Sequence, residues 1–139
     1  MTPKTADPLV VRTDFKNQQA WDAICELIRA PVHEGGETFH AYVEFLESAE
    51  HRDISTEELL QTRLPDYKQK FLFIVDEACV SNPDFPILVV DLYKSRGRSF
   101  RAIPSQIQSI ENNLSIANMD FEDFAEAVDK NGIFRGFPK

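Results

Sequence analysis

The chain has 139 residues, a length typical of one domain that buries enough surface to fold without a disulfide or a metal. Hydrophobic residues make up 42% of the chain and charged residues 27%, a balance that excludes the classes of disordered and fibrous proteins. The formal net charge of −8 disfavours non-specific binding to nucleic acid or to an anionic membrane, and no apolar run is long enough to span a bilayer.

Residues 1–8 have the composition of a leader. They contain two prolines and no apolar stretch of signal-peptide length, so we expect a short disordered leader followed by one domain over residues 9–139. Without a secretion signal, Cys25 and Cys79 are expected to be reduced and mostly buried, with one disulfide between them as the alternative. The expected location is therefore the cytoplasm.

The first half of the chain predicts strand, helix, strand and helix. Residues 9–13 are a short β-branched run, which is typical of a strand. In residues 39–45 apolar and polar side chains alternate, which predicts a strand with one buried face. Ser55 and Glu58 have the spacing of a capping box and predict the start of a short helix. The first helix has one apolar face, formed by Trp21, Ile24, Cys25 and Ile28.

The second half predicts three strands and then helices. Residues 71–75 and 87–90 are continuous apolar runs, as in central strands covered on both faces. Residues 100–103 follow a turn and are expected to pair back as an antiparallel edge strand. We therefore predict a single α/β domain with a mixed, mostly parallel five-stranded sheet and helices packed on both faces. A two-layer α+β arrangement is the alternative.

Aspartates at predicted strand ends form the first candidate site. Asp14, Asp76 and Asp91 each follow a strand, and ligands of open α/β sheets bind at the carboxyl ends of parallel strands. Together with Arg12, they would hold a small molecule or Mg²⁺. This requires a parallel crossover over residues 77–86; a hairpin there would place Asp76 and Asp91 at opposite edges of the sheet. The alternative role of these aspartates is to cap helices and begin turns.

A basic segment forms the second candidate site, which would bind an anionic group. Residues 94–101 contain four positive charges and no acid, so the sign of this segment's charge is opposite to that of the whole chain, which has a net charge of −8. The alternative is that charge on an edge strand discourages aggregation. Its cations are Lys94, Arg96, Arg98 and Arg101.

Acidic segments and an asparagine cluster are the remaining candidates. Residues 44–58 hold six acids and one arginine, and residues 111–129 hold six acids and no base. Such a surface would dock a basic protein partner, or it is simply a solvated helix face. Asn112, Asn113 and Asn118 would line a ligand pocket, or they hydrogen-bond the backbone where a helix is interrupted.

The sequence contains no catalytic signature. It has no glycine-rich phosphate loop, no metal-ligand spacing of its histidines and no nucleophile elbow, so it identifies no catalytic residue, and we predict no metal or cofactor. The favoured interpretation is a non-enzymatic cytoplasmic binding or regulatory protein of the inhibitor or immunity type, with an acidic surface. The alternative is a small-molecule or Mg-dependent enzyme or sensor that uses the aspartates at the strand ends.

Three stretches of the chain resemble a known family. They are ENNLSIANMDFEDFA at residues 111–125, VRTDF at residues 11–15 and LVVDL at residues 88–92. Together they resemble an uncharacterised family of small, mainly bacterial single-domain proteins, known only as a domain of unknown function. The resemblance covers nearly the whole chain. It implies a free-standing bacterial domain and no particular catalytic residue.

Eleven phenylalanines are an unusually high number for a chain of this length. Most are expected in the core, because each aromatic ring buries a large apolar area. The least accounted for are Phe134 and Phe137, close to the C-terminus. We expect them to pack back on the domain; the alternative is that the tail is an exposed anchor for a partner.

Overall fold

A six-stranded sheet, covered by helices on both faces, organises the domain. The structure is a computed structural model that describes residues 7–138. The strands, in chain order, are β1 (Leu9–Arg12), β2 (Val32–Glu34), β3 (Glu37–Phe39), β4 (Glu44–Leu46), β5 (Phe71–Val75), β6 (Ile87–Asp91), β7 (Ser99–Ala102) and β8 (Ile133–Phe134).

The helices are short, apart from the first. No helix in the described range is both long and apolar enough to cross a membrane. They are α1 (Gln18–Arg29), α2 (Thr56–Glu58) with a π-helical continuation over Leu59–Arg63, α3 (Glu77–Val80), α4 (Ile107–Ser115) and α5 (Phe121–Ala125), and 3₁₀ turns cover Ala49–His51 and Pro104–Gln106.

The strand order in the main sheet is β4-β1-β5-β6-β7-β8. β1 is parallel to β4 and β5, and β7 is parallel to β8, whereas β6 is antiparallel to both of its neighbours. β6 is therefore the one strand of the six that runs in the opposite direction. The predicted α/β fold with a mixed, mostly parallel sheet is confirmed.

The predicted strand over residues 39–45 is wrong. β3 ends at Phe39, the first residue of the predicted strand, and pairs with β2 in a separate hairpin. β4 begins at Glu44, near the end of the predicted strand, and pairs with β1. In between, the Glu111 carboxylate accepts the Tyr42 amide at 2.7 Å, and the Asn112 side chain donates to the His40 carbonyl. These bonds tie the intervening backbone to α4, so it does not continue as a strand.

The side chains of β5 alternate between two cores, as its continuous apolar run predicted. One side faces the core shared with α1, α4 and α5, and contributes Phe71, Phe73 and Val75. The other side faces a smaller core that includes the π-helical turn, and contributes Leu72 and Ile74. The predicted apolar face of α1 is buried in the first core and consists of Trp21, Ile24, Cys25 and Ile28.

β7 pairs antiparallel with β6, as predicted, but it is not an edge strand. β8 pairs with its other side and adds a sixth strand to the five that were predicted. The C-terminal tail therefore packs back on the domain. Phe134 is fully buried, and the Phe137 ring lies 5.0 Å from that of Phe134 and 5.4 Å from that of Phe124.

Pro8, the last residue of the predicted leader, contacts the sheet. Pro8 is buried, and its carbonyl accepts the amide of Glu44 at 3.0 Å, so it is part of the β1–β4 edge of the sheet. The rest of the predicted leader, over residues 1–6, lies outside the described residues.

Asp129 anchors β8 to the domain. Its carboxylate accepts hydrogen bonds from the backbone amides of Asn131 and Ile133. It also accepts one from the Arg135 Nε, at 2.8 Å. Arg135 also donates to the Asp84 carboxylate at 3.0 Å. These bonds, and the one from Arg135 above all, lower the pKa of Asp129 from its usual value.

We expect acid to release this tail. Because the folded-state pKa of Asp129 lies below 3.8, its stabilising contribution is complete above that value and is lost as the pH falls through the folded-state pKa. The position of the Ile133 amide resonance, followed by NMR through an acid titration, reports this loss. In an Asp129→Asn variant the acid-dependent shift should be absent. A variant with the wild-type profile would contradict this account.

Candidate functional site

The predicted aspartates lie at two different edges of the sheet. Because β5 and β6 pair antiparallel, Asp91 lies opposite Phe71 at the start of β5, whereas Asp76 follows the end of β5. The hairpin arrangement holds, and Asp91 cannot contribute to a site with Asp76. Asp14 and Asp76 do share an edge, since β1 and β5 are parallel, and they line an open depression together with Asp53. No group of three or more His, Cys, Asp or Glu suited to a metal occurs within residues 7–138.

Asp76 and Arg101 neutralise each other at that edge. The two side chains form a bidentate ion pair with distances of 2.8 and 2.9 Å, and Arg101 also donates to the Pro86 carbonyl. The Asp76 carboxylate additionally accepts the amide of Cys79 and caps α3. The capping role considered for the aspartates therefore holds for Asp76, and Arg101 is not available to an external anion.

Arg12 is a packing residue at the end of β1. It is 1% exposed, and its Nη1 donates to Glu47 at 2.6 Å and to Gln18 at 2.9 Å. Its Nε donates to the Asp14 carbonyl, and its guanidinium lies 4.5 Å from the centre of the Phe15 ring. Within the described structure Arg12 Nη2 and Asp14 Oδ2 have no hydrogen-bond partner, but both atoms are out of reach of solvent. Arg12 thus holds β1 against α1 and faces no ligand space.

The four cations of the predicted anion site separate in the structure. Lys94 and Arg98 line one cavity, which we call the hairpin cavity, whereas Arg96 lines a depression beside α2. Arg101 lies farther along β7 and reaches Asp76, as described above. The basic segment therefore supplies two cations to one place and not four.

The hairpin cavity lies between the β6–β7 turn and the junction of α4 and α5. Its volume is about 290 Å³. The apolar part of its lining comes from Phe71, Leu114, Met119 and Phe121, and cations come from Lys70, Lys94 and Arg98. Apolar surface next to a few converging polar groups is the usual composition of a small-ligand site.

Most acids of this cavity are already engaged. Both Asp91 oxygens accept backbone amides of the turn, from Tyr93 and Ser95, each at 2.9 Å. Asp120 lies 3.5 Å from the Lys94 ammonium. Glu122 is the remaining acid of the lining.

Two cations of the cavity lie against aromatic rings. The Lys70 ammonium is 4.7 Å from the centre of the Tyr93 ring, and the Arg98 guanidinium is 6.0 Å from that of Phe121. No carboxylate of the described chain lies within ion-pair distance of Lys70 or Arg98. The cavity therefore combines an apolar interior with two cations, Lys70 and Arg98, that form no ion pair within the described residues, although the acids of the lining balance its cations in number.

The asparagine cluster shapes one wall of the cavity. The Asn113 side chain donates to the Ser109 carbonyl, and its oxygen accepts the Asn118 amide group at 2.8 Å. The Asn113 carbonyl accepts the backbone amides of Asn118 and Met119. Asn112 instead bonds the backbone near β3, as described above. The side chains of Asn112 and Asn113 therefore bond the backbone, which is the alternative considered for them, whereas the Asn118 side chain bonds that of Asn113.

This network holds the α4–α5 junction in a strained shape. Ala117, which lines the cavity, has a φ of +57°, a left-handed conformation that residues other than glycine rarely adopt. Ile116, its neighbour, is 74% exposed. Strained backbone of this kind persists only where its surroundings enforce it, and it is concentrated at functional sites.

Sequence reasoning found Lys94 and Arg98 but missed Lys70, Tyr93 and Ala117. Two of the stretches carrying the family resemblance, LVVDL and ENNLSIANMDFEDFA, contribute to the cavity lining, but neither contains Lys70 or Tyr93. The sequence gives no sign of the strained backbone at Ala117, because alanine is a common residue in helices.

A family model matches most of the chain. A family described as a domain of unknown function, DUF6924, matches residues 7–137, which include the whole cavity lining. No curated protein and no solved structure matches the chain.

Replacing Ala117 with glycine should relieve the strain at the α4–α5 junction. We expect Ala117→Gly to raise the free energy of unfolding by about 1 kcal/mol, since glycine adopts a left-handed φ without a steric penalty. Ala125→Gly in α5 is the matched control and should lower it by a similar amount. Urea denaturation measures both. Equal destabilisation by the two substitutions would show that Ala117 is not strained.

Proposed function

The chain belongs to this family of unknown function, and from the geometry of its hairpin cavity we propose that it is a non-enzymatic binding protein. Its ligand carries an apolar body next to an anionic group. The observation that supports this proposal is a pair of cations beside apolar lining, Lys70 and Arg98, for which residues 7–138 provide no ion-pair partner.

Charge and size restrict the ligand. A carboxylate or phosphate near Arg98 would gain charge-assisted hydrogen bonds, which are stronger than neutral ones. The cavity volume of about 290 Å³ is at the small end of ligand pockets, which favours a group of the size of one aromatic ring over a dinucleotide.

The state of the thiols supports binding over catalysis. Cys25 and Cys79 are free and buried, as predicted. Burial raises the pKa of Cys25 to about 11 and raises that of Cys79 as well, so little of the nucleophilic thiolate forms near neutral pH. His51 is also buried, which lowers its pKa, and it lies outside the hairpin cavity. No histidine or cysteine contributes to the described lining of that cavity.

The other expectations from the sequence fit this proposal. Free thiols are typical of the cytoplasm, which we retain as the proposed location, in a bacterial cell. The net charge of −8 favours a protein partner whose overall charge is basic. An Mg-dependent enzyme or sensor is less favoured, because Asp91 lies away from Asp14 and Asp76.

Binding of a simple amphiphilic anion tests the proposal. We expect 3-phenylpropanoate to shift the NMR amide signals of residues around the cavity in a saturable way, and its neutral amide to bind more weakly. Arg98→Ser should lower the affinity about tenfold, because it removes a charge contact.

Arg96→Ser is the matched control for this titration, since Arg96 lies on the same turn but outside the cavity. It should leave the affinity unchanged. No saturable shifts at the cavity, or equal losses from the two substitutions, would count against the proposal.

A further inference from the structure

We infer that the natural occupant of the hairpin cavity is a segment of another protein that presents an apolar side chain next to a single carboxylate. This inference rests on the proposed function, since it names the ligand of the same cavity. Its basis is the surface around the cavity mouth and not the cavity alone.

Two large apolar side chains, one in the cavity lining and one next in the chain to a lining residue, are exposed. Tyr93, in the lining, is 63% exposed, and Ile116, next to Ala117 in the wall, is 74% exposed, the highest value for a large apolar residue within residues 7–138. A ligand contained in the cavity would leave most of this surface in water. A protein segment that crosses the mouth would cover it, and exposed apolar surface with a polar rim is typical of protein interaction sites.

The wall that carries Ile116 is already ordered in the free protein. Asn113 and Asn118 fix the turn through four hydrogen bonds, two of them to backbone amides. Little conformational entropy would therefore be lost from this side on binding, which favours affinity from a small contact area. The strain at Ala117 is retained for the same reason, because the asparagine network holds the turn that presents Ile116.

The charges select one carboxylate and not an acidic run. Lys70 and Arg98 have no acid partner in the described chain, and Lys94 has only the solvent-exposed Asp120. The net charge of −8 would repel a strongly acidic segment at longer range. A single Asp, Glu or C-terminal carboxylate beside an apolar side chain, on a partner that is otherwise neutral or basic, satisfies both conditions.

A phage-displayed library of random hexapeptides, selected against the intact chain, tests the inference. We expect enrichment of peptides with an aromatic or branched aliphatic residue next to Asp or Glu, and 3-phenylpropanoate should compete with them. Synthetic enriched peptides are then titrated by NMR. Replacing the acid of the peptide with its amide should weaken binding about tenfold.

Rim variants separate a protein segment from a small molecule. Ile116→Ser should weaken the enriched peptides several-fold and leave 3-phenylpropanoate unaffected. Leu27→Ser is the matched control, because Leu27 is an exposed apolar residue on α1 outside the cavity, and it should change neither.

The outcomes distinguish this inference from the proposed function. If 3-phenylpropanoate binds in the cavity but no peptide is enriched, or if Ile116→Ser has no effect on the peptides, the site serves a small molecule and the inference is overturned while the proposed function stands. Enriched peptides without an acid would also overturn it. If neither probe binds in the cavity, the proposed function itself fails.

Discussion

The antiparallel pairing of β6 with β5 determines where each candidate functional residue lies. Because β6 returns along β5, Asp91 lies beside the start of β5 and is separated from Asp76 by the length of the strand. The same reversal directs the β6–β7 turn toward the α4–α5 junction, where the hairpin cavity forms. A parallel crossover would have placed Asp91, and the basic turn that follows it, at the same end of the sheet as Asp14 and Asp76. One strand direction therefore decides between a shared aspartate site and the hairpin cavity.

The elements that the sequence predicts well are those whose burial pattern is local. The four apolar positions of α1 and the continuous runs of β5 and β6 depend on neighbours within one element, and they are found as predicted. The break between β3 and β4 depends on Glu111, which bonds Tyr42 from 69 positions away. The two residues of β8 are too few to form a recognisable pattern, and their pairing with β7, like the bond from the Ile133 amide to Asp129, is seen only in the structure.

The candidate site was predictable only in part, for similar reasons. A run of cations is visible in the sequence, but its members lie in different places in the structure. Arg101 forms an ion pair with Asp76, which follows β5, whereas Lys94 and Arg98 lie on the turn. The asparagine cluster is visible too, yet whether it touches a ligand or the backbone depends on the fold of the α4–α5 junction. Its hydrogen bonds place it in the scaffold, next in the chain to Ala117 of the cavity lining and to the exposed Ile116.

The central claim is that the hairpin cavity binds an apolar group with an attached anion. A crystal structure of the chain with 3-phenylpropanoate tests it most directly. The account predicts the phenyl ring in the cavity, against Phe71 and Phe121, with the carboxylate within hydrogen-bond distance of Lys70 or Arg98. The compound bound elsewhere on the surface, with the cavity empty, would contradict it.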